Sequence, residues 1–377
     1  MEIQWSARGS DARHLTRPGA FQESVKNQDS DKNQGGLFMR IALTTFVAAA
    51  AISVLAQPAN SQDKATFRFA DTQPLASTYS IEGVQFFIKR LQAETDGKVE
   101  VQHFPNGQLG ARTAALDILG SGAADFVELV PAVLSSKMPL HSVVDLPGMY
   151  ANACEGVNAW WKLASEGILA SGELNKLNIR PVYAYVSPAY QVWTAQKQVR
   201  KLEDLKGLKL RTLGGDQAKL ANSLGAVPVN VSANELYEAV TRGTVDGILF
   251  PIAAMFGRDL QSHIKYGVAD QSFGNGLVLF GMNLRKWNSL PEDVKTAINK
   301  AGEETRLNLC QKLDEESARL LASPEFAHAT LTMLEPAEVE RLSKLYDEVA
   351  ENWKAGADAR GLAGTAALEE FRAALAP

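Results

Sequence analysis

Between residues 205 and 251 the chain spells out strand, helix, strand, helix, strand, and this order limits the fold more than any other stretch. Leu208 and Leu210 alternate with Lys209 and Arg211, the period of a strand. Residues 216–224 carry a helix signal, and Gly225 terminates it. Residues 228–231 read as a second short strand. Ser232 with Glu235 three positions on is a capping box, so a helix is predicted from there to Arg242, stopping at Gly243. Residues 245–250 form the third strand, ended by Pro251. Such alternation describes parallel α/β structure. Arg211 falls at the carboxyl end of the first strand, where it is predicted to hold the carboxylate of a small ligand.

The 377 residues are enough for two domains. A net charge of -5 gives no reason to expect nucleic acid or an acidic membrane surface as partner. Cys154 and Cys310 lie far apart in sequence. They are read as two buried thiols, with a disulfide as the alternative in an oxidising compartment.

Residues 1–38 are polar and without periodicity, read as a disordered extension or as an over-extended start upstream of Met39. Residues 39–61 have the order of a secretory signal peptide: basic Arg40, an apolar run over 41–55, then small residues suited to cleavage. The run is shorter than the ~20 apolar residues of a spanning helix. The mature chain is therefore expected to be soluble and exported to the periplasm.

The first lobe, 64–188, is predicted to hold strands over 66–70, 98–104 and 179–185, with helices over 79–94, 113–120 and 156–169. Its unit Ser121-Gly122-Ala123-Ala124-Asp125 parallels Arg242-Gly243-Thr244-Val245-Asp246 in the second lobe, 189–272. In each, a helix ends at Gly and Asp opens a hydrophobic strand, which suggests two similar lobes. Residues 187–190 break the strand pattern and are read as the first crossing between lobes; 273–276 are read as the return. The segment 273–377 is assigned to the return strand, to long helices over 290–321 and 336–353, and to a loosely attached Ala-rich last helix.

Several motifs in this order carry a resemblance: the Gly107–Gly110 turn after Phe104-Pro105, the unit at 121–125, Leu205-Lys206-Gly207-Leu208-Lys209-Leu210-Arg211, Gly225-Ala226-Val227-Pro228-Val229, Glu235-Leu236-Tyr237-Glu238-Ala239 and Leu290-Pro291-Glu292-Asp293-Val294. Over about 66–353 the chain resembles the DctP-like solute-binding proteins of TRAP (tripartite ATP-independent periplasmic) transporters. The resemblance implies a bilobal periplasmic binding protein, type II-like, with two α/β lobes joined by crossing strands and a long carboxyl-terminal helix. It further implies capture of an organic acid and delivery to the transporter's small and large membrane permease subunits. It places the ligand arginine on Arg211, whose planar fork suits a carboxylate.

Two departures from the family pattern shape the expected pocket. Phe250 takes the place of a frequent Asn after the Val-Asp-Gly motif, and the position of a second arginine falls near Tyr190-Gln191-Val192-Trp193. One arginine with Phe250, Trp193, Gln191 and Tyr190 predicts a monocarboxylate with an apolar or aromatic body. Tyr79 and Asn275 are expected to add polar contacts. No cofactor or metal is expected. An enzyme is the rival reading, but the sequence lacks His-Glu-x-x-His, Gly-x-Ser-x-Gly and a Walker loop, and its five histidines are scattered. A periplasmic sensor subunit for a receptor kinase, or a binding protein serving an ABC permease, would look alike in sequence.

Overall fold

The structure, a computed structural model, describes residues 64–376. The extension 1–38 and the predicted signal peptide 39–61 lie outside the described residues. The chain opens with β1 (Ala65–Ala70), a π-helical turn running into α1 (Phe86–Glu94), β2 (Val99–Phe104), α2 (Ala115–Ser121), β3 (Phe126–Leu129), α3 (Ala153–Ser165) and β4 (Ile179–Val186). It crosses into β5 (Gln191–Thr194), β6 (Lys209–Thr212), α4 (Gly215–Ser223), β7 (Val227–Asn230), α5 (Leu236–Thr241), β8 (Gly247–Phe250), α6 (Ile252–Phe256) and β9 (Tyr266–Val268). It returns through β10 (Leu277–Asn283), α7 (Leu284–Asn288) and α8 (Glu292–Leu321). The last elements are β11 (Thr330–Thr332), α9 (Pro336–Asp358) and α10 (Gly364–Leu375).

Two mixed sheets result, ordered β2-β1-β3-β10-β4 and β11-β9-β5-β8-β6-β7. Within each, the βαβ units pair in parallel, while the strands that enter from the other sheet, β10 and β5, pair antiparallel. This is the bilobal α/β architecture expected.

The two Gly-to-Asp units explain why the lobes resemble each other. α2 ends at left-handed Gly122 (φ 72°), and α5 is followed by left-handed Gly243 (φ 68°). Beyond them, the Asp125 carboxylate accepts the Arg68 amide at 2.8 Å and the Asp246 carboxylate accepts the Lys209 amide at 2.8 Å. The Asp amides donate back to the carbonyls of Arg68 and Lys209. Each Asp thus registers its strand against the neighbour it must pair with.

Chain crossings are tied by hydrogen bonds. Ser187 N donates to Gly276 O, Tyr190 N to Gly274 O and Phe273 N to Tyr190 O, each at 2.8 Å. Asn275 Nδ2 donates to Ser187 O at 3.1 Å. The two segments therefore pass between the sheets as one paired ribbon.

Four expectations change. α5 starts at Leu236, not at Ser232, because the Ser232 hydroxyl donates to Glu235 Oε2 at 2.7 Å, so 232–235 form a turn. β11 joins the second sheet beside β9, so the carboxyl-terminal segment serves both halves. α10 is not loosely attached: it packs on α3 and α9 and buries Ala367, Leu368 and Phe371. Gly364 makes this approach fit, since a Cβ there would lie 2.6 Å from Lys354 O. Finally, Cys154 and Cys310 are bonded, not free, joining α3 to α8 with Cα atoms 4.9 Å apart.

α8 has 30 residues and so runs about 45 Å. It packs on α1 and β4 of the first half and on α6 of the second. Among the described residues no helix is long and apolar enough to cross a membrane.

Candidate functional site

Arg211 and Phe250 come from the carboxyl ends of β6 and β8, parallel neighbours in which Arg211 pairs with Ile248. That end of an α/β sheet is where ligands bind, because the loops diverge there and leave a crevice. A cavity opens at this place, with about 920 Å³ of empty space counted out to its mouth. Its walls come from both halves and from the crossing ribbon.

Arg211 is fully buried. Its Nε donates to Val231 O at 2.9 Å, while Nη1 and Nη2 have no hydrogen-bond partner among the described residues. Its guanidinium carbon lies 5.0 Å from the centre of the Phe250 ring, a cation–π distance. Burial pushes the group's pKa down to about 10, Arg258 and Arg112 add to the depression, and Tyr190 opposes it. A buried cation with two unsatisfied donors on one edge is built to receive two parallel acceptors.

Tyr190, Tyr79 and Asn275 also line the cavity. Tyr190 meets the Phe250 ring edge-on at 6.2 Å. Glycine is required at 276, because a Cβ would lie 2.6 Å from the Tyr190 hydroxyl oxygen. The Tyr79 hydroxyl is buried without a partner among the described residues, and its ring lies tilted by 37° against that of Tyr185, with centres 5.0 Å apart. Burial raises its pKa. Asn275 spends its amide on the crossing ribbon, through Ser187 O and Ser272 Oγ.

Gln191 and Trp193 do not line the cavity, a correction to the expected pocket. Gln191 lies opposite Phe250 in the ladder, but its amide turns toward Ala269 O at 3.4 Å. Trp193 lies two residues deeper along β5, opposite Ile248. Its indole donates to Phe250 O at 2.8 Å and meets the Phe326 ring at 5.4 Å. It is core beneath the site, holding the backbone that carries Phe250.

The expectation of a single arginine is also corrected, for Arg112 and Arg258 line the cavity too. Arg258 follows α6, and its guanidinium carbon is 5.5 Å from the Phe250 ring centre, so two cations share that ring. Its Nε and Nη1 donate to Ala233 O and Ala254 O at 3.2 and 3.1 Å. Burial lowers its pKa, and Arg112 contributes to the fall. Arg112, before α2, donates from Nη2 to Glu128 at 3.1 Å and from Nε to Thr72 Oγ1 at 2.7 Å. Burial works against its charge, but Glu128 and the tyrosines Tyr185 and Tyr190 outweigh this and its pKa is raised. Elsewhere on the wall, burial drives the Asp145 carboxyl well above the ordinary range, the Leu277 amide opposing and nearby Asp216 reinforcing the shift.

Arg112 and Arg258 were missed because neither belongs to a local motif. Arg112 precedes a short helix and Arg258 follows one; only the fold brings them to Arg211. The one sequence signal was an arginine next to the Gly107–Gly110 turn. Among the described residues no cluster of three metal-ligating side chains occurs. The arrangement offers fixed cations and aromatic faces, suited to hold an anion with an apolar body.

The profile of the bacterial extracellular solute-binding proteins of family 7 matches residues 69–355. The C4-dicarboxylate-binding periplasmic protein DctP of Rhodobacter capsulatus is 28% identical over 283 residues, covering 72% of this chain and 82% of that protein. A TRAP solute-binding protein of an unidentified marine microbe, specific for aromatic acid ligands and solved with metahydroxyphenylacetate, superposes with a TM-score of 0.76. It is 21% identical, with 82% of this chain and 98% of that chain covered. A TRAP periplasmic solute-binding protein of Desulfovibrio salexigens, solved as an open complex, gives a TM-score of 0.72 at 25% identity, covering 83% and 96%.

Proposed function

The chain belongs to the bacterial extracellular solute-binding proteins of family 7, and from that membership we propose that it captures an organic acid outside the cytoplasm and hands it to the membrane permease subunits of a TRAP transporter. Its family is one of binding proteins rather than enzymes. The single observation that carries the choice of ligand is Arg211: a fully buried guanidinium, on a residue that borders the cavity, whose Nη1 and Nη2 have no hydrogen-bond partner among the described residues.

In this reading the ligand carboxylate accepts both Nη donors of Arg211. Phe250 and Tyr190 supply apolar surface to the body of the acid, and the Tyr79 hydroxyl donates to a further oxygen on it. Asn275 acts by holding the crossing ribbon at the cavity wall. The aromatic lining favours acids with a ring or branched body, and the marine relative solved with metahydroxyphenylacetate supports that preference. A periplasmic location is in keeping with the family description and with the Cys154–Cys310 bond, which belongs to oxidising compartments.

The test is a thermal-shift screen of the mature chain against organic acids, followed by isothermal titration. An acid at 100 times its dissociation constant stabilises by about 2.7 kcal/mol. Arg211→Ala must reduce the shift for every acid that gives one, in keeping with binding at least tenfold weaker. Tight binding of a neutral sugar or of a cationic amine, with no response to any acid, would overturn the reading.

A further inference from the structure

β3 reads Phe126-Val127-Glu128-Leu129, a buried apolar strand broken by one acid. Glu128 is 2% exposed. A charge in the middle of a core strand breaks the local pattern, and such breaks mark functional positions. Its carboxylate is saturated. Oε1 accepts from Gln73 Nε2 at 2.6 Å and from Arg112 Nη2 at 3.1 Å. Oε2 accepts from the Thr72 amide at 2.6 Å and the Thr72 hydroxyl at 2.5 Å. Glu128 does not line the ligand cavity itself, but Gln73 and Arg112 do. Gln73 also donates to the Tyr185 hydroxyl at 3.1 Å, another cavity group.

The three cavity arginines are therefore not equivalent. Arg211 keeps two donors unused, Arg258 is tied to neutral carbonyls, and Arg112 is ion-paired with a resident carboxylate. We propose that Glu128 is a positioning residue that sets how much negative charge the captured acid carries. It cancels Arg112 from behind the wall, occupying the guanidinium that a second acid group of the ligand would otherwise claim. The inference rests on the acid-capture reading and deepens it: the cavity discriminates among acids by charge, and the discriminating group makes no contact with the ligand. Removal of the Glu128 charge frees Arg112 and shifts preference toward acids with one more carboxylate.

The experiment compares matched monoacids and diacids by isothermal titration at one ionic strength: benzoate with isophthalate, phenylacetate with phenylmalonate, butyrate with succinate. The readout is the ratio of monoacid to diacid dissociation constant. In Glu128→Gln this ratio rises at least tenfold over the parent, and in Glu128→Gln with Arg112→Gln it returns to within threefold. Arg112→Gln alone leaves Glu128 unbalanced, so there the ratio falls at least tenfold; this variant decides the matter if Glu128→Gln does not fold. A ratio unchanged in a folded Glu128→Gln or in Arg112→Gln, or a shift that persists in the double variant, overturns the proposal. A parent that binds neither these six acids nor any acid of the wider screen sinks acid capture itself and this inference with it; binding as tight in Arg211→Ala as in the parent sinks the Arg211 site instead.

Discussion

Arg211 stacks its guanidinium 5.0 Å from the centre of the Phe250 ring while two of its nitrogens remain without a protein partner. The ring fixes the plane of the fork without consuming its donors. Arg211→Ala is expected to weaken acid binding at least tenfold, since a charge-assisted contact contributes about 1.5–3 kcal/mol. Arg211→Lys keeps the charge but loses the parallel pair, and is expected to fall between parent and Ala. Isothermal titration measures both; an Ala variant as tight as the parent removes Arg211 from the site.

Phe250 and Trp193 separate recognition from support. Phe250→Ala is expected to weaken aromatic acids more than aliphatic ones, because it removes the ring on the cavity wall. Trp193→Phe is expected to leave dissociation constants within about threefold, while Trp193→Ala lowers stability by about 3–5 kcal/mol as a core truncation. Parallel titrations and urea melts check this. A ligand-selective effect of Trp193→Phe with unchanged stability would contradict the placement of Trp193 in the core.

The Glu173–His141 pair predicts a pH signature. Glu173 Oε2 lies 3.5 Å from His141 Nε2, with both side chains buried. Burial pushes the Glu173 carboxyl from 4.5 up to about 7, against the Leu140 and His141 amides, and holds His141 down from 6.5 to about 3. The Glu173 proton therefore stabilises the fold below pH 4.5, and that contribution is lost as pH rises through 7. His141 acts in the opposite sense, its contribution complete above 6.5 and lost as pH falls through 3. Glu173→Gln removes only the first effect. The stability of the variant relative to the parent is thus expected to rise by roughly 3 kcal/mol between acid and neutral pH. A difference that stays flat with pH disproves the assignment.

The Cys154–Cys310 bond links residues 156 apart in sequence and fastens α3 to α8. Its loss as Cys154→Ser with Cys310→Ser is expected to destabilise by about 2–5 kcal/mol. The site lies elsewhere, so ligand dissociation constants are expected to change little. Thermal melts of parent and variant, with and without reductant, test this; equal melting temperatures count against the bond.

Sequence periodicity carried the two-lobe plan, since strand and helix periods over 205–251 and the paired Gly-to-Asp units are local. Arg211 was legible for the same reason, since it lies near the end of a strand inside a motif. Arg112, Arg258 and Glu128 were not, because their meaning arises from partners that belong to other elements, 16 positions away in the Arg112–Glu128 pair and 25 in the Arg258–Ala233 one. Trp193 was misplaced by adjacency: it neighbours cavity residues in sequence, but strand geometry sets it about 7 Å further from the sheet edge than Gln191. The docking of α10 and the second-sheet membership of β11 depend on tertiary partners that a polar or Ala-rich segment does not advertise.

The thirty-residue α8 touches α1 and β4 in one half and α6 in the other, and the chain then returns to the second sheet as β11 before α9 and α10. The halves are thus connected by more than the paired ribbon at 187–190 and 273–276. A rod shared by both sheets, set beside a hydrogen-bonded ribbon, anchors the halves to each other at separate places and so opposes the sliding of one sheet past the other.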